Sequence, residues 1–101
     1  MEAALRAIAG PTRRQILQLV WEDERSAGEI AAHFQVSWPA ISQHLGVLKA
    51  AGLIEERREG RRRLYRTRQE TVVSLRDFLE REWDQKLARL ATPPAESGPT
   101  A

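Results

Sequence analysis

The stretch from Ser26 to Gly52 constrains this chain more than any other, because it prescribes two short helices with three residues between them. Ser26 with Glu29 three residues later is a capping-box pair, which predicts a helix to about Phe34 with Ile30, Ala31 and Phe34 inward. Gln35-Val36 makes a tight turn. Ser37 is placed to cap a second helix, with Trp38 and Pro39 in a first turn where proline's missing N–H costs nothing. Gly52 ends that helix as a left-handed cap. Within it Ile41, Leu45 and Leu48 share one face, while Pro39, Ser42, Gln43 and Gly46 occupy the opposite arc with Trp38 and Lys49 at its edges. The pair is a helix-turn-helix, and a second helix that is apolar on one side and small or polar on the other fits a DNA major groove. Gln43 can read adenine through two hydrogen bonds, and Ser42 can meet a base or a phosphate. Gly46 lets a backbone come close. An ordinary amphipathic helix with a solvated outer face is the alternative.

The flanking segments divide at glycine and proline. Glu2 to Ala9 reads as a short helix with Leu5 and Ile8 on one face, ended by Gly10. Pro11 opens a helix through about Asp23 whose face carries Ile16, Leu17, Leu19 and Val20. Leu53 to Arg58 and Arg61 to Thr67 read as two strands around the turn Glu59-Gly60. A long helix comes next, from about Gln69 to Ala91, with Val72, Leu75, Leu79, Trp83, Leu87 and Leu90 in one stripe and Phe78 beside it. The expected fold is therefore mainly α (α+β), a winged helix-turn-helix of order α-α-α-α-β-β-α. It occupies residues 1–91 as one domain. Residues 92–101 hold three of the five prolines and almost no apolar bulk, and are predicted to be a disordered tail.

The hairpin sharpens the functional reading. Arg57, Arg58, Arg61, Arg62 and Arg63 crowd around its turn, a positive patch suited to phosphates or to a minor groove, although Glu55, Glu56 and Glu59 neutralise part of it. The net charge is only +2, but 14 of the 16 bases are arginine, the preferred cation for bidentate phosphate contacts. The candidate DNA-binding set is Ser37, Trp38, Pro39, Ser42, Gln43, His44, Lys49, Arg58, Arg61, Arg62 and Arg63. Trp38 either packs on sugar or a thymine methyl, or shields the turn. The terminal stripe needs a partner, and a twofold dimer that buries it sets two recognition helices about 34 Å apart on an inverted-repeat operator. Leu5, Ile8, Leu75, Phe78, Leu79, Trp83, Leu87 and Leu90 are its candidate interface. A less favoured occupant of the stripe is an amphipathic ligand.

Other chemistry finds little support. The chain has no cysteine, which excludes disulfides, thiolate metal sites and cysteine nucleophiles. His33 and His44 lie on different helices of the reading head, so neither a metal site nor any other cofactor is expected. His44 borders the core face, where it can bond a phosphate or the backbone. Asp77, Glu80, Glu82 and Asp84 alternate with Arg76, Arg81 and Lys86, which predicts salt bridges such as Asp77–Arg81 and Glu82–Lys86 rather than paired catalytic acids. No nucleophile–base pair or phosphate loop is legible, so an enzyme is not expected. No apolar segment nears the roughly 20 residues that span a bilayer, which points to a soluble, cytoplasmic protein.

Gly10-Pro11-Thr12-Arg13-Arg14-Gln15-Ile16-Leu17 resembles the opening signature of the ArsR/SmtB winged-helix repressors. The run from Ser37 to Ile54 resembles their recognition helix and its exit, and Glu59-Gly60-Arg61 their wing tip. The similarity extends to about Leu90. It implies a homodimeric transcription factor of double-stranded DNA, most simply a repressor or autorepressor, with the first and last helices at the dimer interface. Metal-sensing members carry a cysteine pair before the turn, where this chain has Ser26 to Ala32, or a carboxylate/histidine cluster on the last helix, which here has no histidine. The chain is thus similar to the branch without metal-binding cysteines, and its residues name no small-molecule inducer. A winged helix that docks a protein partner instead of DNA is the competing reading.

Overall fold

A computed structural model describes residues 2–91, and the expected tail lies outside them. The first helix, α1 (Glu2–Ala9), is too short to persist alone, and the start of the second helix holds it in place. Its last four carbonyls, those of Arg6, Ala7, Ile8 and Ala9, all accept hydrogen bonds from the guanidinium groups of Arg13 and Arg14. Those two arginines stand in the first turn of α2 (Pro11–Leu19). Ala4 and Ala7 are the buried residues of α1, while Leu5 and Ile8 are half-buried beside them.

The second helix stops at Leu19, one turn before the expected end near Asp23, and the cause is tertiary. The Thr67 hydroxyl donates to the Leu17 carbonyl at 2.8 Å and the Thr67 N–H to the Val20 carbonyl at 3.0 Å. The Gln69 amide donates to the Trp21 carbonyl at 2.6 Å. Acceptors that another helical turn would have used are taken by Thr67 at the far end of the wing and by Gln69 at the start of the last helix.

Next comes a strand that no local pattern announces, β1 (Arg25–Ser26), pairing antiparallel with β3 (Arg62–Thr67) through Arg25↔Tyr65 and Ser26↔Leu64. Two residues are too few to show an alternating pattern, and only the partner strand defines them. The other wing strand, β2 (Ile54–Glu59), lies on the opposite side of β3, giving the sheet order β1-β3-β2. Glu59 pairs with Arg62, so the turn is Gly60-Arg61, one residue later than expected. Gly60 has φ +63° and Arg61 is not left-handed, the requirement of a turn that takes glycine at its first central position.

The helix-turn-helix forms as its caps dictate. Ser26 and Glu29 cap α3 (Ala27–Phe34) reciprocally, at 3.2 and 2.8 Å. Gln35 takes the left-handed conformation at φ 55°, and the Ser37 hydroxyl accepts the Ala40 N–H to start α4 (Trp38–Ala50). At its end the Leu53 N–H reaches the Leu48 carbonyl and the Gly52 N–H that of Lys49, a Schellman closure around Gly52 at φ +77°. Leu48 and Leu53 are both fully buried, the apolar contact that accompanies such a cap. The core gathers Ile16, Leu17, Val20, Ile30, Ile41, Leu45, Leu48, Leu53 and Ile54, closed by Leu75 of α5 (Gln69–Ala91). No helix among the described residues is long and apolar enough to cross a membrane.

The Thr67 hydroxyl is buried, so Thr67→Val keeps its shape while leaving the Leu17 carbonyl without that donor. The substitution should lower unfolding stability by about 1–3 kcal/mol in denaturant titrations at fixed protein concentration. Unchanged stability would show that Thr67 does not secure the end of α2.

Candidate nucleic-acid interface

Burial of Ile41, Leu45 and Leu48 fixes the rotation of α4 and turns Pro39, Ser42, Gln43, Gly46 and Lys49 outward, all exposed. A Cβ at Gly46 would meet nothing within 4 Å, so this part of the helix is open to close approach. Trp38, 59% exposed, leans back over Gly28 at the start of α3, where an added Cβ would sit 3.0 Å from the indole. The ring therefore shelters the turn between the helices and still offers an open edge. Between α4 and the wing lies a cleft of about 450 Å³ lined by Trp38, Ser42, Arg61, Arg62, Arg63 and Tyr65, among others. Helix-turn-helix and hairpin thus contribute to one concavity, with arginines along one wall.

The wing cations are not equally available. Arg57 makes a bidentate pair with Glu24 at 2.7–2.9 Å and a second contact with Glu59 at 3.5 Å. Arg62 pairs with Glu29 at 3.1 Å. Glu56 takes both Lys49 of α4, at 2.8 Å, and Arg63 of β3, at 3.6 Å. Arg58 and Arg61 form no ion pair with a described residue. Arg58 also stands directly opposite Arg63 in the ladder, a like-charge pairing that an approaching anion would relieve.

Three carboxylates consequently tie the wing to the reading head. The Arg57 hydrogen bond holds the Glu24 carboxyl below its ordinary range, and in turn Glu24 raises Arg57. The backbone N–H of Ser26 does the same for Glu29, helped by the nearby Arg62 charge. The Lys49 hydrogen bond lowers Glu56, with Lys49, Arg63 and Arg58 adding their attraction. Exposed pairs of this kind contribute little to stability, but they orient the hairpin.

The structure brings Trp38, Ser42, Arg61, Arg62 and Arg63 to one cleft and places Lys49 beside it through Glu56. His44 is half-buried, with Nδ1 3.4 Å from the Arg13 guanidinium rather than directed wholly outward. His33 meets Phe34 edge-on at 5.0 Å. No group of three or more potential metal-ligating side chains occurs among the described residues. Glu24 and Glu29 pair with wing arginines and Tyr65 lines the cleft, although no spacing along the chain marks them for it. Strand pairing, invisible along the chain, places Tyr65 and Arg62, while the cap on Ser26 holds Glu29 beside Arg62.

On α5 the stripe splits. Leu75 is buried in the protomer's own core, whereas Leu79, Trp83, Leu87 and Leu90 are 37%, 62%, 44% and 79% exposed. Leu75 thus floors an apolar groove of about 360 Å³ whose other walls include Ile8, Val72, Leu79 and Trp83. Phe78 is half-buried. On the outer face Asp77 pairs with its neighbour Arg76 at 3.1 Å, and the expected Asp77–Arg81 and Glu82–Lys86 bridges do not form. Arg76 reaches Asp77 first.

Glu56→Gln should release Lys49 and Arg63, giving tighter binding of a random-sequence duplex and a steeper salt dependence in fluorescence anisotropy. Because the Glu56 pKa is lowered in the fold, its ion pairs stabilise above the unfolded carboxyl's pKa and are lost as pH falls through the folded value. Acidification should therefore loosen the clamp in the wild type and have no such effect in the variant. Equal salt slopes for the two proteins would dismiss the clamp.

Comparison with known proteins agrees with this geometry. Residues 10–56 match the family described as bacterial regulatory protein, arsR family. The chain is 47% identical over 60 residues to the transcriptional repressor SdpR of Bacillus subtilis (strain 168), covering 59% of this chain and 67% of that one. It is 39% identical over 90 residues to the HTH-type transcriptional regulator Rv2034 of Mycobacterium tuberculosis (strain ATCC 25618 / H37Rv), covering 89% and 84%. Among solved structures it superposes with a TM-score of 0.68, at 34% identity, on the homodimeric winged helix-turn-helix DNA-binding domain Mb0332 of Mycobacterium bovis, covering 83% of this chain and 78% of that one. The chain belongs to the arsR family of bacterial regulatory proteins and is a winged helix-turn-helix, DNA-binding transcriptional regulator rather than an enzyme.

Proposed function

We propose that the protein is a homodimeric repressor that reads an inverted-repeat operator, acting in the cytoplasm where its DNA lies. The observation that carries this reading is the cleft shared by α4 and the wing, where Ser42 and Trp38 face Arg61, Arg62 and Arg63. In the major groove Gln43 and Ser42 read base edges, with Pro39 and Gly46 allowing close approach. Ser37 caps α4 and meets a phosphate, and His44 and Lys49 add phosphate contacts along the same helix. Arg58 and Arg61, without carboxylate partners among the described residues, make the first wing contacts, while Arg62 and Arg63 exchange Glu29 and Glu56 for DNA phosphates.

Dimerisation is supported by the exposed strip of Leu79, Trp83, Leu87 and Leu90, a surface whose apolar extent calls for cover. A twofold axis beside α5 buries this strip together with Phe78, Leu5 and Ile8, Leu75 serving as its floor. The homodimeric relative in Mycobacterium bovis and the repressor in Bacillus subtilis favour the same assembly and the same direction of control.

Trp83 is exposed, so Trp83→Asp should convert dimer to monomer in analytical ultracentrifugation without unfolding the protomer. A wild-type chain that sediments as a monomer, or a variant that remains dimeric, would refute the interface.

For DNA reading, Gln43→Ala should lower discrimination at one base pair by about 1–3 kcal/mol while leaving random-duplex affinity unchanged. Arg61→Ala should weaken all sequences alike and reduce the salt slope by about one phosphate contact. Loss of base preference in the Arg61 variant alone would reverse these roles, and absence of any salt-sensitive duplex binding would favour a protein-docking module.

A further inference from the structure

The two arginines that open α2 have different reach. Arg14 is exposed and spans only to the Ile8 and Ala9 carbonyls, at 2.7 and 3.1 Å. Arg13 is half-buried, and it donates from Nε to the Ala7 carbonyl at 2.7 Å and from Nη2 to that of Arg6 at 3.1 Å. Its remaining arm, Nη1, lies 3.4 Å from Nδ1 of His44 on the recognition helix, 31 residues along the chain. The neighbouring backbone is shaped around this group, since a Cβ at Gly10 would stand 2.7 Å from the Arg13 Cζ.

The chemistry of the contact has one direction. A guanidinium only donates, so Nδ1 of His44 must accept, and a neutral imidazole accepting there carries its proton on Nε2. We propose that Arg13 is a positioning residue for DNA reading: it ties α4 to the end of α1 and holds His44 with its N–H on Nε2, the donor offered to a DNA phosphate. This deepens the DNA reading above and rests on it. Because α1 also carries Leu5 and Ile8, one guanidinium joins the proposed dimer edge to the recognition helix.

Two readouts separate this role from simple capping of α1. Nitrogen-15 NMR of the free full-length chain, in buffer alkaline enough to keep imidazole neutral, should show His44 as the Nε2–H tautomer. In Arg13→Met, which keeps the aliphatic stem, the ring should shift to a mixture of tautomers. The second readout is binding to a duplex selected by the wild-type protein from a random library. Arg13→Met should weaken it roughly tenfold or more, the scale of one hydrogen bond to a charged group.

The same substitution should cost nothing further in a His44→Gln background, where the amide mimics Nε2 and the link to Arg13 is already lost. It should still cost affinity in His44→Asn, whose side-chain oxygen replaces Nδ1. An unchanged tautomer in Arg13→Met, or an equal loss in the wild-type and His44→Gln backgrounds, would overturn the proposal. Absence of duplex binding by the wild type would overturn the DNA reading itself, and the tautomer would still decide the Arg13–His44 link.

Discussion

Everything the reading head does depends on the burial of three side chains, Ile41, Leu45 and Leu48, along one side of α4. A helix is a rigid rod with a fixed angular order, so pinning one face determines what the other presents. Here the presented face is short and small, with Ser42, Gln43 and an open Gly46. Leu48 also takes part in the Schellman closure with Leu53, so the same packing that rotates the helix aims the chain into the wing. Recognition helix and hairpin therefore share one buried core, through Leu48, Leu53 and Ile54.

Charge is distributed by the same logic. A net charge of +2 conceals arginines gathered around one turn and carboxylates placed where the hairpin meets the helices. Glu24, Glu29 and Glu56 each hold a cation from a different side, so the wing is oriented before any DNA arrives. Such exposed pairs do little for stability and can be traded for phosphates at small cost. Arg58 and Arg61 sit outside the arrangement, neither forming an ion pair with a described residue, although the Arg58 charge still acts on Glu56. The wing therefore carries two kinds of arginine, those held by carboxylates and those without an ion pair to a described residue, and the proposed order of DNA contacts rests on that difference.

Much of this was legible in the sequence wherever a local signal governed the outcome. Ser26 with Glu29, Ser37 with Pro39, and Gly52 mark the helix-turn-helix because caps act within a few residues. The long last helix was legible from its stripe. What escaped were features set by contacts distant in sequence. The early end of α2 depends on Thr67 and Gln69, some fifty residues away by chain. The strand β1 exists only through Tyr65 and Leu64, and the turn moved by one residue because Gly60 must hold the left-handed position. His44 reads from the sequence as a residue bordering the core face with a phosphate or backbone partner, since nothing local reveals that Arg13 addresses its Nδ1.

The last helix shows how a local stripe can serve two purposes. Its beginning is fastened inside the protomer, with the Gln69 side chain on the Trp21 carbonyl and Leu75 in the core. Its remainder, from Leu79 onward, runs free with the same apolar spacing. A helix anchored at one end cannot turn or slide independently of the core that also holds α4. A dimer built on the free end must then hold its two recognition helices at a separation set by that anchorage. In the dimer proposed above, the half-site spacing follows from the packing of Leu75 and Gln69 as much as from the residues proposed to touch the bases.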